Sequence, residues 1–250
     1  MKKEMLYLKD SAAKMGIELS DLQLEQFDTY YEMLVEKNKV MNLTAITELE
    51  EVVQKHFLDS ISLIKVEKLN QDISIIDLGT GAGFPGIPLK IAFPELEICL
   101  ADSLNKRVLF LNEVIEKLGL KKISAVHGRA EELARQKGYR EQFDLCVSRA
   151  VANLSTLSEY CLPFVKVGGK FISYKANEVE EETKQAEHAL EVLGGACVDI
   201  QKFQLPDSEM NRAILCEMLK DDFEIIEATN GQECVSLIEQ YGKEISLVLL

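Results

Sequence analysis

Ile73-Ser74-Ile75-Ile76-Asp77-Leu78-Gly79-Thr80-Gly81-Ala82-Gly83-Phe84-Pro85-Gly86-Ile87 reads as a buried strand, a glycine turn and the start of a helix. The strand signal is the β-branched apolar run from Ile73 to Ile76, set off by the polar Asn70-Gln71-Asp72. Gly79, Gly81 and Gly83 fall at every second position. Glycine permits positive φ and lets a ligand reach the main chain with no Cβ in the way. Pro85 and Pro88 suit the first turn of a helix, where an N–H is not needed. Strand, glycine turn and helix N-terminus together make a nucleotide-type pocket.

The spacing narrows the ligand. Gly-x-Gly-x-Gly is neither the Gly-x-Gly-x-x-Gly dinucleotide fingerprint nor a P-loop, since no Gly-Lys-Ser/Thr follows. Asp102 closes the next expected strand, Glu97 to Ala101, about 20 residues on, where ribose-binding acids sit. Turn and acid together resemble motif I and the acidic loop of S-adenosylmethionine (SAM) dependent methyltransferases. The competing reading is a glycine turn that only lets strand and helix pack; turn, acid and strand order together favour the cofactor.

The chain of 250 residues suits one large domain or one with appendages, and 47% hydrophobic content supplies a core. No apolar run approaches 18 residues, and Met1-Lys2-Lys3-Glu4-Met5 has no signal-peptide character, so a cytoplasmic protein off the membrane is expected. The six cysteines contain no Cys-x-x-Cys and the three histidines are isolated, which predicts free thiols and no metal site. The net charge of −14 sits awkwardly with a nucleic-acid substrate. Residues 206–250 carry ten acids against three bases, so half of the excess lies there, and a basic patch on the remainder is still open.

Ser20-Asp21-Leu22-Gln23 is a capping box opening an amphipathic helix with Leu24, Phe27, Tyr31 and Leu34 on one face. It ends near Asn38–Thr44, and Thr47-Glu48-Leu49-Glu50 caps a second helix with Val53, Phe57, Ile61 and Ile64 as its stripe. His56 lies beside that stripe, where a structural role is the plainer reading. From Ile73 onward, strands are expected at 73–78, 97–101, 123–127, 143–148 and 170–174, with helices at 85–92, 104–118, 129–136 and 153–162 between them. Gly168-Gly169 is read as the turn before strand five. A helix over 177–193 and a strand over 197–204 follow. This alternation predicts an α/β fold, a mostly parallel sheet with a site at the C-terminal ends of its strands. Asp102, Gly128-Arg129-Ala130-Glu131 and Ser148-Arg149-Ala150 fall at those ends.

Longer motifs now name a family. Asn42-Leu43-Thr44-Ala45-Ile46, His56-Phe57-Leu58-Asp59-Ser60, the Asp77–Pro88 stretch, Asp102-Ser103 with Lys106-Arg107, Gly128–Glu131 and Ser148–Ala150 resemble RsmG, also called GidB, over about residues 1–212. The resemblance implies a Rossmann-like SAM-dependent methyltransferase acting on guanine N7 of 16S ribosomal RNA. It implies that Gly79 and Phe84 line the SAM site, that Ala130 and Glu131 hold the adenosine end, and that Arg149 completes the pocket. Gly81 and Asp102 join the expected cofactor-binding set on the residue reading, and Arg149 is the candidate catalytic residue. The residue chemistry agrees: Asp102 can accept from ribose hydroxyls, and Arg149 offers a planar fork of donors. A structural ion pair is the alternative for Arg149. Lys106 and Arg107 read equally as phosphate contacts or as a solvated helix face. The 16S RNA, or the small ribosomal subunit, is the expected partner of a monomeric enzyme. The alternatives are a SAM methyltransferase for a small molecule or protein, and a SAM-binding module made inactive by its C-terminus.

Three segments are expected: a helical N-terminal extension (1–68), the SAM-binding core (69–206) and an atypical segment (207–250). In place of the family's last strand and basic tail, the last segment resembles the start of a truncated response-regulator receiver without its phosphoacceptor Asp. Ala213 to Lys220 reads as helix, with strands at 223–228 and 245–250 around a helix at 232–241. In SAM methyltransferases of this architecture the seventh strand runs antiparallel between the fifth and sixth. Residues 223–228 are the first choice for that slot, with 213–218 forced into strand, or 245–250, as the alternatives.

Overall fold

β-Branched runs alternate with amphipathic stretches from Ile73 onward, and the chain follows that alternation in space. The computed structural model describes residues 2–69, 73–149, 152–175, 179–206 and 211–219. Among them, seven strands form one sheet: β1 (Ser74–Leu78), β2 (Glu97–Asp102), β3 (Ile123–His127), β4 (Phe143–Arg149), β5 (Val165–Lys175), β6 (Gly195–Gln204) and β7 (Asn211–Leu219). Their order is β3-β2-β1-β4-β5-β7-β6. The first five run parallel, and β7 is antiparallel to both β5 and β6.

Side-chain alternation splits the core into two layers. Ile75, Val147, Ile172 and Ile214 face one layer, with α1 (Lys3–Lys14), α2 (Asp21–Met41), α5 (Gly86–Ala92) and α6 (Asn105–Leu118). Ile76, Cys146, Phe171 and Leu215 face the other, with α7 (Ala130–Leu133), α8 (Leu154–Cys161) and α9 (Glu180–Val192). Between α2 and β1 the chain runs through α3 (Leu49–Val52), a π-helical segment Val53–Leu58, α4 (Asp59–Ile61) and a 3-10 turn Ser62–Lys65.

The structure corrects the reading of the last strand. Residues 211–219 are β7, so the helix expected over 213–220 does not form there and 223–228 is not needed for the slot; 223–228, 232–241 and 245–250 lie outside the described residues. Ala, Leu, Met, Glu and Lys favour helix locally. The slot between β5 and β6 nevertheless pairs both edges of this segment, from Ala213 opposite Lys175 to Leu219 opposite Gly195. Leaving those ladder groups unpaired in a buried sheet costs more than a few tenths of a kcal/mol of propensity per residue. Ala213 and Leu215 pack on one layer while Ile214 and Cys216 pack on the other, a period of two that suits a strand buried on both faces.

Smaller differences follow the same logic. Gly168-Gly169 forms a bulge inside β5 rather than a turn before it, because Phe143 pairs with Val165 while Leu145 pairs with Lys170. The helix expected at 129–136 contracts to α7 and a following turn. The Ser20–Gln23 capping box is present, but the tyrosine of α2 that is wholly buried, beside Phe27 and Leu34, is Tyr30 rather than Tyr31. The second helix starts at Leu49 with Glu48 as its N-cap and no side-chain cap, so Thr47 does not serve as one.

Candidate active site

The glycine loop leaves β1 with φ of +71°, +64° and +109° at Gly79, Gly81 and Gly83. Backbone and acids hold it in place. The N–H groups of Gly79 and Thr80 donate to the Ala101 carbonyl of β2 at 2.9 and 3.2 Å. Asp77, wholly buried, accepts at Oδ2 from Thr80 Oγ1 (2.6 Å) and from the Gly86 N–H (2.8 Å), spanning both ends of the loop. Burial pushes its carboxyl up to about 6, against the pull of those two hydrogen bonds. Asp102 Oδ2 accepts from the Gly81 N–H at 2.9 Å, and its Oδ1 from the Leu104 N–H at 2.9 Å. Arg107 reaches Asp102 at 3.3 Å.

Arg149 ends β4 and turns toward the N-terminal helices. Its Nη1 donates to Asp59 Oδ2 (2.9 Å) and to the Lys55 carbonyl (3.3 Å), and its Nη2 lies 3.3 Å from His56 Nδ1. The guanidinium sits 5.0 Å from the centre of the Phe84 ring, on which His56 also stacks at 4.5 Å. His56 Nδ1 also lies 3.1 Å from the Lys55 carbonyl, and its Nε2 faces Thr44 Oγ1 at 2.9 Å. The side chains of Arg149 and Asp59 are 14% and 5% exposed, so this pair is largely desolvated.

A cleft of about 410 Å³ opens between these groups. Gly79, Gly81, Phe84 and Arg149 line it, together with Thr44, His56 and Asp59 from the N-terminal region and Tyr174 and Ile214 from β5 and β7. Asp102, Ala130 and Glu131 do not line this cleft. They continue from it across the sheet: Asp102 ends β2, and Ala130 and the exposed Glu131 open α7 just after β3. The Gly128 N–H, donating to the Asp102 carbonyl at 3.2 Å, ties the two ends together. With strand order β3-β2-β1-β4, the expected site residues form one row over three inter-strand spacings, ~14 Å.

That row fits an elongated cofactor with one end in the cleft. At Gly81 a Cβ would meet nothing closer than the Gly79 carbonyl at 4.0 Å, so the exposed backbone of the loop faces open space. Asp77 Oδ1 is buried without a hydrogen-bond partner among the described residues, an acceptor held at the base of the loop.

The family described as GidB, rRNA small subunit methyltransferase G, matches residues 23–211. The chain belongs to this family. A ribosomal RNA small subunit methyltransferase G from Lachnoclostridium phytofermentans is 59% identical over 202 residues, 81% of this chain and 84% of its own. One from Alkaliphilus metalliredigens is 51% identical over 210 residues, 84% of this chain and 88% of its own. A SAM-dependent methyltransferase from Aquifex aeolicus superposes with a TM-score of 0.51 at 15% identity, covering 67% of this chain and 93% of its own, which supports the fold. SAM is thus the cofactor of this family member, and the chain is an rRNA methyltransferase. No described helix is long and apolar enough to cross a membrane.

Sequence reading missed three parts of the site. His56, read as structural, stands against Arg149 and Phe84. Asp59 supplies the counter-charge, and its spacing of three from His56 on a helical stretch was the available signal. Tyr30 reaches the glycine loop from α2, where its hydroxyl donates to the Ala82 carbonyl at 2.7 Å.

Proposed function

We propose that this enzyme methylates guanine N7 in 16S rRNA, with SAM along the Glu131–Asp102–Gly79 row and the target base in the cleft beside Arg149. The observation that carries this reading is the fixed Arg149 guanidinium, held by Asp59 and His56 at the point where the glycine loop meets the cleft. When bound, SAM supplies a methyl group on a sulfonium, open to in-line displacement. The Gly79–Gly81 backbone approaches the methionine end, while Asp102, Ala130 and Glu131 hold the adenosine end. Phe84 and Tyr174 exclude water from the cleft.

Guanine N7 carries an in-plane lone pair and no proton. The residues therefore need to align and desolvate the base rather than deprotonate it. His56 agrees with this: both its nitrogens are engaged, so it orients Arg149 instead of acting as a base. Arg149 is the residue assigned to catalysis, orienting the base or the cofactor carboxylate. The family match disfavours the inactive-module alternative, and β7 supplies the last strand whose loss it assumed.

The cleft's cations are engaged within the protein, Lys55 with Glu51 and Lys175 with Glu182, so RNA phosphates would compete with those acids. We take the enzyme to act as a monomer in the cytoplasm, which sedimentation of the purified chain and cell fractionation check. The deciding experiment is methyl transfer to 16S RNA and 30S subunits from cells lacking the family's enzyme, followed by nucleoside analysis. 7-Methylguanosine is expected; a different methylated nucleoside, or transfer only to protein, would overturn the assignment.

A further inference from the structure

We propose that Tyr30, on helix α2, is a positioning residue for the cofactor: its hydroxyl holds the glycine loop in the shape that receives SAM. This rests on the methyltransferase reading above. The Tyr30 side chain is wholly buried, and its hydroxyl donates to the Ala82 carbonyl at 2.7 Å. Ala82 lies between Gly81 and Gly83, both at positive φ. Two glycines around one residue make this turn soft. The Gly83 and Phe84 N–H groups close it on the Thr80 carbonyl at 2.9 and 3.0 Å, and the Tyr30 hydroxyl fixes the Ala82 carbonyl from the other side. Burial raises the Tyr30 phenol well above its ordinary range, so it remains a donor at working pH.

The loop is built around this approach. A Cβ on Gly83 would stand 3.0 Å from the Tyr30 oxygen and 2.5 Å from Ile87 Cδ1, so glycine is required there for space as well as for φ. The Tyr30 ring packs on Phe57 and Phe84 at 5.7 and 5.5 Å, and Phe84 is the ring beneath Arg149. A phenylalanine would serve that packing equally; the oxygen serves only the bond to Ala82. The same helix also fastens the far end of α5, where Gln23 Nε2 donates to the Ile91 and Ala92 carbonyls at 2.7 and 3.1 Å. The N-terminal layer thus grips the motif helix at both ends, but only the Tyr30 end adjoins the cofactor row.

The test compares Tyr30→Phe with Gln23→Ala. SAM affinity is measured by calorimetry, KM for RNA by methyl transfer, and Tm by melting. Tyr30→Phe should weaken SAM binding about tenfold with KM for RNA unchanged, the loss expected for one buried hydrogen bond. Gln23→Ala should lower Tm with SAM affinity unchanged. A loss of less than about threefold in Tyr30→Phe, or a loss in both variants in step with Tm, would overturn the proposal. Amide exchange of Gly83 and Phe84, whose N–H groups donate to the Thr80 carbonyl, should quicken in Tyr30→Phe relative to wild type, and unchanged exchange would also overturn the proposal. A wild type that binds no SAM would instead refute the methyltransferase reading.

Discussion

Replacing Asp77 by Asn should make the stability difference from wild type depend on pH in a direction fixed by the fold. The Asp77 carboxyl titrates near 6 when folded against 3.8 when free, because burial outweighs the hydrogen bonds from Thr80 and Gly86. A folded pKa raised in this way means that the native state holds the proton more tightly. The stabilising contribution is therefore complete below 3.8 and is lost as pH rises through 6. The charged form is about 3 kcal/mol less favourable to bury than the neutral one. Asn carries no charge at any pH and can present one oxygen to both donors, so any constant cost of its buried amide cancels between two pH values. Asp77→Asn should thus gain about 2 kcal/mol relative to wild type between pH 4.5 and pH 8, most of the full window. Urea denaturation at both pH values reads this double difference directly. A stability difference that is flat with pH, or that moves against the variant as pH rises, would refute the account of Asp77.

Gly79→Val should abolish SAM binding, because φ of +71° is hostile to a β-branched residue and the added side chain blocks the backbone; calorimetry checks it. Arg149→Lys should keep a Tm near that of wild type but lower methyl transfer at least about tenfold, since an ammonium cannot bridge Asp59 and His56 as the guanidinium does. Arg149→Ala should also lose transfer, and it should be destabilised by about 3 kcal/mol because Asp59 loses its buried cation. Truncation after Gln204 should abolish the cooperative transition in thermal melting, because β7 joins β5 to β6. Appending a Lys-rich tail after Leu219 should steepen the salt dependence of RNA binding, by a slope of about 0.9 or less per added phosphate contact.

The chain's order of strands and helices from Ile73 to Phe164 was legible in sequence because each element there carries its own signal. Ile73–Ile76 is β-branched, the glycines mark the turn, and Asp102, Ala130 and Arg149 follow strands at the edge where ligands bind. Local pattern also put the candidate residues at the C-terminal ends of strands, whereas the order β3-β2-β1-β4 that lines them up in one row is read from the sheet. Three things only the tertiary structure decided. The segment Ala213–Leu219 carries helix-forming residues, and it became a strand because two sheet edges some 40 and 15 residues upstream needed partners. Tyr30 and Tyr31 are consecutive in α2, about 100° apart around it, and which of them entered the core depended on where the glycine loop lay, 52 residues later. His56 and Asp59 stood in the sequence as part of a motif with no assigned role, until β4 brought Arg149 to them across 93 and 90 residues. Periodicity and turn chemistry act within a few residues of chain, so they specify elements; a hydrogen bond or a buried charge pair is specified by whatever distant group the packed elements place opposite it.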